Sequence, residues 1–237
     1  MEAETANATD AFGIPVLPAV PASSEAVRRK RRAITDAAAA EFLAEGYAGA
    51  SMDAITSRSG VSKATVYKHF GTKERLFLAV IGGMVRQACA GLEPDGSALT
   101  EAADLRAALI ALSRDRAALL LRPDIMRLRR LVIGEGERFP QLGRLWFRVT
   151  YDGYDKPLVE ACAELARRGR LAVPDPELAV RQLVATTTGL PQLVDTFAPG
   201  TGTDLAELTR VVTSGVDLFL ARYAASQPPQ AGRSSTG

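Results

Sequence analysis

The stretch from Ser51 to Lys73, SMDAITSRSGVSKATVYKHFGTK, constrains the fold more than any other part of the chain. Ser51 suits the N-cap of a short helix, Gly60 suits the left-handed residue that ends one, and Ser62 offers a second N-cap two residues later. Two helices joined by so tight a turn must cross steeply. Ile55 on the first helix, Val61 at the corner, and Val66 with Phe70 on the second then point inward. Outward on the second helix stand Lys63, Thr65, Tyr67, Lys68 and His69, a face with positive charge and hydrogen-bonding groups and no acid. A short helix with that surface, held out by a partner helix, fits the DNA major groove, and its N-terminal dipole favours a nearby phosphate. The physical expectation is a helix-turn-helix. The alternative, Tyr67 and Phe70 as core aromatics beside a merely solvated Lys63 and Lys68, explains single residues but not the whole set at this spacing.

GVSKATVYKHF followed by TKERLFLAV also resembles the DNA-binding domain of the TetR family of bacterial transcription regulators. It has the Gly-Val turn, the Thr-x-Tyr-x-His-Phe recognition helix and the Lys-x-x-Leu-Phe opening of a fourth helix. One departure is Thr56, four residues before Gly60, where such units usually place Ala because the helices approach closely. The segment RRLVIGEGERFPQLGRLW resembles the ligand-binding domains of one TetR subgroup. Together the two resemblances span roughly residues 25 to 223. They imply a homodimer whose last two helices pack against their mates in a four-helix bundle, a cavity in each subunit, and Lys73 directed at phosphate.

Charge supports the first resemblance only once it is divided along the chain. The formal net charge is +2, but residues 24 to 80 hold ten Lys and Arg against six Asp and Glu, a local +4 that leaves −2 elsewhere. Half of those bases fall in the run Arg28 to Arg32, at the start of the helix that must support the helix-turn-helix, with Ile34, Ala38 and Phe42 following on an inward stripe. A basic run there lies near a passing DNA backbone, for phosphate contact or minor-groove reach; a solvated face is the plainer alternative. The candidate DNA contacts are Arg28, Arg29, Arg31, Arg32, Ser51, Ser62, Lys63, Ala64, Thr65, Tyr67, Lys68, His69 and Lys73.

The rest reads as helices with clear punctuation. Hydrophobic residues make up 47% of the 237 and aromatics only 6%, with Ala and Leu abundant, which favours helices over sheets. Residues 1–22, with Pro15, Pro18 and Pro21, read as a disordered arm; Ser23 or Ser24 caps the first helix and Gly46 ends it. Thr72 caps a fourth helix running to about Gly91. Gly82 and Gly83 in its middle cost about 1 kcal/mol each relative to Ala and imply a bend or a close helix contact. Helices follow over Asp104 to Leu121, from Pro123 to about Gly134, and from Pro140, the last interrupted at Gly153 and Pro157 and resuming to Gly169. Two more are expected from Glu177 to Val194 and Asp204 to Tyr223, with a loop over Asp195 to Thr203 between them. The fold class is all-α: a helix-turn-helix domain over 23–75, a helical ligand-binding and dimerisation domain over 76–225, and a disordered tail over 226–237.

Small Ala185 and Gly189, one turn apart, would let another helix approach closely, and the last helix carries more apolar surface than one neighbour covers. Trp146, Phe147, Tyr151, Tyr154, Phe139 and Met126 form the densest aromatic cluster, read either as core or as pocket lining. Arg116 and Glu135 each fall on an apolar stripe, where a charge needs a partner or a ligand. With Met84, toward the far end of the fourth helix, these nine make the candidate effector site. Pairing of Arg116 with Glu135, anchoring of a polar ligand group, and escape to solvent at a helix end all remain open for the two charges.

Several classes are disfavoured. Cys89 and Cys162 are far apart and His69 is the only histidine, so neither a metal nor another cofactor is expected. No apolar run reaches the roughly 18 residues of a membrane span. The expectation is a soluble, cytoplasmic protein. An enzyme is disfavoured because no nucleophile, base and orienter are assembled. What remains is a DNA-binding regulator, a repressor released by a small apolar or amphipathic molecule, or a helix-turn-helix protein answering to a protein partner.

Overall fold

The computed structural model describes residues 8–16, 24–88, 96–200 and 204–225. Within them every extended element is absent apart from two isolated bridges, and the structure is built of helices. These are α1 (Glu25–Gly49), α2 (Met52–Ser59), α3 (Lys63–Phe70), α4 (Lys73–Ala88), α5 (Gly96–Thr100), α6 (Leu105–Leu120), α7 (Pro123–Gly134), α8 (Pro140–Thr150), α9 (Lys156–Arg167), α10 (Pro176–Val184), α11 (Leu190–Phe197) and α12 (Leu205–Tyr223). Among the described residues no helix is long and apolar enough to cross a membrane.

By their contacts the helices fall into two compact units, the first from Met1–Leu92 with Arg122–Tyr151 and the second from Glu93–Leu121 with Asp152–Gly237. The expected boundary after residue 75 is therefore not a boundary in packing. Leu76, Phe77, Val80, Ile81 and Val85 of α4 share one core with Ile34, Phe42, Ile55, Val66 and Phe70, and Leu128, Phe139 and Leu142 from α7 and α8 close it. Phe77 is its hub, edge-on to Phe42 at 4.9 Å and to Tyr47 at 5.2 Å between ring centroids, with Phe139 tilted against it at 4.8 Å. Such aromatic pairs contribute about 0.5–1.5 kcal/mol each beyond the area they bury.

Residues 8–16, expected to be part of a disordered arm, are a second correction. Ile14 is fully buried on α4, and a Cβ at Gly82 would come within 2.7 Å of its Cγ2, so the close contact expected at the glycine pair is with this segment and not with another helix. Ser24 stands at the N-cap of α1 but makes no side-chain cap bond, and Ser23 and Gly91 lie outside the described residues. Gly46, at φ +68°, breaks α1 where expected, and one further turn follows to Gly49.

The second unit has a mostly aliphatic core in which Leu208, Val212, Val216, Phe219 and Tyr223 of α12 meet Leu109, Ala117, Val180 and Leu183. That stripe of the last helix is thus covered within the chain. Gly153 and Pro157 do not interrupt their helix: a π-helical turn, Tyr151–Asp155, carries α8 into α9. A second π-turn, Ala185–Gly189, joins α10 to α11, and the helix continues to Phe197, beyond the expected end at Val194. The turn crosses α12 so tightly that a Cβ on Gly215 would meet Thr187 at 2.8 Å. Burial pushes the Cys162 thiol up to about 11, leaving it an inert core residue; Cys89 lies outside the described residues.

Candidate nucleic-acid interface

The two short helices form as their caps dictate. Ser51 Oγ accepts from the Asp53 N–H at 3.1 Å, Gly60 closes α2 at φ +65°, and Ser62 Oγ accepts from the Thr65 N–H at 3.3 Å. Each such cap contributes about 1 kcal/mol. Ile55 and Val66 are fully buried, Phe70 is nearly so, and Val61 packs at the corner. Thr56 is accommodated because its hydroxyl donates to the Met52 carbonyl at 2.7 Å, within its own helix. Thr72 Oγ1 accepts from the Arg75 N–H at 3.1 Å and so starts α4 directly after α3.

Lys63, Ala64, Tyr67 and Lys68 are exposed on α3, whereas Thr65 and His69 are half-buried. Lys63 Nζ lies 2.6 Å from Asp53 Oδ1 in an exposed ion pair, which is worth little in water and leaves the ammonium available for exchange to a better acceptor. The Thr65 hydroxyl is 2.8 Å from that of Ser62. Arg28, Arg29 and Arg32 are exposed and Arg31 half-buried on α1. Burial first, and then the positive charges of Arg31, Lys68 and Lys30, hold the His69 imidazole below its ordinary pKa. The basic run of α1 and the end of the recognition helix, over thirty positions apart in sequence, therefore act on the same point.

Lys73 is held more firmly than its position in the sequence suggests. Its Nζ donates to the Ala48 carbonyl at 3.3 Å and sits 4.8 Å from the centroid of the Tyr47 ring. The Arg138 guanidinium lies 4.5 Å from the same ring, and Glu135 Oε1 accepts the Tyr47 N–H at 2.8 Å. Glu135, expected to end in solvent or to face a charge or a ligand, thus takes a backbone partner within its own unit. Sequence reasoning also missed Glu41, a buried carboxylate that accepts the Ser51 N–H at 3.2 Å and faces Arg58 at 3.8 Å, tying α1 to α2. The available signal was a charge on the inward stripe of Ile34, Ala38 and Phe42.

The nine candidate effector residues divide between the two units, with Arg116 and Tyr154 in the second and the other seven in the first. Met126 and Phe139 are buried in the first unit, where Trp146 is half-buried against the core. Phe147 is 66% exposed and stacks on Tyr151 at 6.4 Å. Met84 lines a half-open cavity of about 450 Å³ with Gln87, Ala88, Arg122, Asp124, Ile125 and Leu128. Arg116 and Tyr154 belong to the second unit, with the Arg116 guanidinium 4.8 Å from the Tyr154 ring centroid. Arg116 Nη1 stands 2.8 Å from Asp155 Oδ1, a close charge contact whose angles are poor for a hydrogen bond. Burial raises the Asp155 carboxyl above its ordinary value against the pull of Arg116.

Known proteins share both halves. Residues 34–80 match the family described as "Bacterial regulatory proteins, tetR family", and residues 107–225 match "AefR-like transcriptional repressor, C-terminal domain". A TetR-family transcriptional regulator from Mesorhizobium loti is 34% identical, with 85% of this chain and 99% of that one covered at a TM-score of 0.71. The flavonoid-responsive regulator FrrA is 26% identical over 84% of this chain and all of its own, at a TM-score of 0.65. The HTH-type transcriptional activator FasR of Mycolicibacterium smegmatis is 44% identical over 52 residues, 22% of this chain and 24% of the activator. The chain belongs to the TetR family of bacterial transcription regulators and is a DNA-binding regulator with an N-terminal helix-turn-helix and a helical C-terminal part.

Proposed function

We propose that this regulator is a cytoplasmic repressor that binds a palindromic operator as a homodimer and leaves it when a small apolar or amphipathic molecule binds. The observation that carries the reading is the α3 surface, where Lys63, Ala64, Tyr67 and Lys68 are exposed beside the α1 basic run while Val66 and Phe70 are buried. Lys63 and Thr65, at the N-terminal end of α3, read base edges; Tyr67 and Lys73 contact phosphate.

Dimerisation is supported by an apolar face that is exposed among the described residues. Leu178, Leu190, Leu193 and Phe197 are 48%, 58%, 52% and 81% exposed along α10 and α11, with Leu218 of α12 at 61%. Nothing lies within 4 Å of a Cβ placed on Gly189, so a second helix could approach there. A two-fold dimer presents its two recognition helices to major grooves about 34 to 36 Å apart. Release by an effector is supported by the cavity at Met84 and by the likeness to a flavonoid-responsive regulator. The second reading, control by a protein partner, is favoured by Phe147, whose stacked ring faces solvent and not a pocket.

Footprinting on a duplex selected from random DNA tests the reading. Symmetric protection by a species sedimenting as a dimer is the expected result, and protection of an asymmetric site by a monomer would sink it. A screen of apolar compounds for thermal stabilisation separates the two modes of control: stabilisation together with DNA release supports the effector, and none supports the protein partner.

A further inference from the structure

Residues 8–16 precede both matched regions, which begin at residues 34 and 107, so this segment is a feature of the chain beyond the shared domains. It is closed on itself. Thr9 bridges Pro15, Val16 N–H donates to the Ala8 carbonyl at 3.0 Å, and Asp10 N–H donates to the Ile14 carbonyl at 2.9 Å. Asp10 Oδ1 accepts the N–H groups of Phe12 at 2.8 Å and Ile14 at 3.0 Å. The loop is attached to α4 at two points one turn apart: Ile14, fully buried over Gly82, and the Asp10 carboxylate, ion-paired with the Arg86 guanidinium.

Gly82 and Gly83 are the weakest point of α4, because two adjacent glycines leave the backbone freest to bend. The N-terminal half of the same helix begins directly after the recognition helix and packs on α1 and α3. A bend at the glycine pair would therefore move the footing of α3. We propose that residues 8–16 are a splint across this hinge, which makes Asp10, Ile14, Gly82 and Arg86 positioning residues for DNA recognition. The size of Gly82 is part of the device, since any side chain there would expel Ile14. A fixed hinge spares the ordering cost that a bending α4 would add to operator binding.

The test uses the full chain, a duplex selected from random DNA, and an unselected duplex of equal length. Chymotryptic cleavage after Phe12, identified by mass, reports whether the splint is docked. Gly82→Ala, which stiffens the helix while evicting Ile14, is expected to speed that cleavage and to weaken the selected duplex about tenfold, in the usual range of coupling between sites. The unselected duplex should weaken far less, because phosphate contacts do not need the helix so exactly placed. Ile14→Ala added to Gly82→Ala makes room for the new methyl and should restore docking and most of the affinity. Arg86→Gln, which leaves the apolar contact in place, should give a smaller loss of the same kind, and it serves if Gly82→Ala does not fold. Faster cleavage with unchanged affinity for the selected duplex, or an equal loss on both duplexes, would show that the segment merely covers α4 and would overturn the proposal.

Discussion

The two units solve opposite problems. The first sets an aromatic core beneath a charged helix face: Phe42, Phe77 and Phe139 interlock under a helix whose outer face carries Lys63, Tyr67 and Lys68. The second encloses the charge contact of Arg116 with Asp155 and leaves Leu190, Leu193 and Phe197 in solvent. A charged surface over an aromatic core suits a rigid reader of a polyanion, whereas a mostly aliphatic core with an uncovered apolar face suits association. The difference teaches that DNA binding and the proposed association rest on different forces, electrostatics in one unit and apolar area in the other, and each should fail under a different perturbation.

The most disruptive break is Phe77→Ala. Removing the hub of the first core should cost about 3–5 kcal/mol. Hydrogen exchange should show lost protection across Ile34 to Phe42 and Leu76 to Val85, with Val212 to Tyr223 spared. Loss spread evenly over both sets would mean that the two cores do not behave as separate units.

Next in size is Phe197→Asp, a charge on the most exposed large apolar side chain of the second unit. Loss of a buried aromatic anchor corresponds to about 2 kcal/mol or more, roughly a 30-fold weaker dimer by sedimentation. Hydrogen exchange within α1 to α3 should be unaltered. An unchanged dimer would place the interface elsewhere.

Lys73→Ala and Tyr67→Phe test the first unit's electrostatics. Both should weaken selected and unselected duplexes alike, and Lys73→Ala should lower the salt slope by about 1. A changed base preference with an unchanged slope would reverse the assignment of Lys73 to phosphate.

The smallest effect concerns His69, whose ring resonances are unambiguous because the chain has one histidine. Burial and then Arg31, Lys68 and Lys30 hold it below the ordinary 6.5, so the free protein keeps it neutral at pH 7. The folded chain resists protonation there, and the stability linked to His69 is present above about 6.5 and is lost as pH falls through the lowered folded value. Phosphate near the same cations would raise the imidazole, so DNA binding should take up protons and tighten modestly from pH 7 to 6. An NMR titration identical with and without DNA would remove His69 from the interface.

What was legible in the sequence follows the range of the forces. Ser51, Gly60, Ser62 and Thr72 act on neighbours within four residues, so the crossing of α2 and α3 and the start of α4 could be read directly. The aromatic cluster from Met126 to Tyr154 could not, because closeness in sequence does not fix which side of a helix meets which core. Phe139 turned toward Phe77, Phe147 toward solvent, and Tyr154 toward Arg116 in the other unit. Prolines and glycines misled at Gly153 and Pro157 because a π-turn absorbs the glycine and the proline falls in the first turn of α9, where it is tolerated. At the N-terminus the prolines ruled out a helix but said nothing of Ile14, whose burial depends on a gap at Gly82 some seventy residues away.

The central claim, that the exposed face of α3 reads base sequence twice in a symmetric site, is tested most directly by selecting bound duplexes from random DNA with the wild-type chain and with Lys63→Ala. A palindrome in the first selection, altered at the same position of both half-sites in the second, is the result this account requires. An asymmetric wild-type consensus, or the same palindrome selected by both proteins, would contradict it.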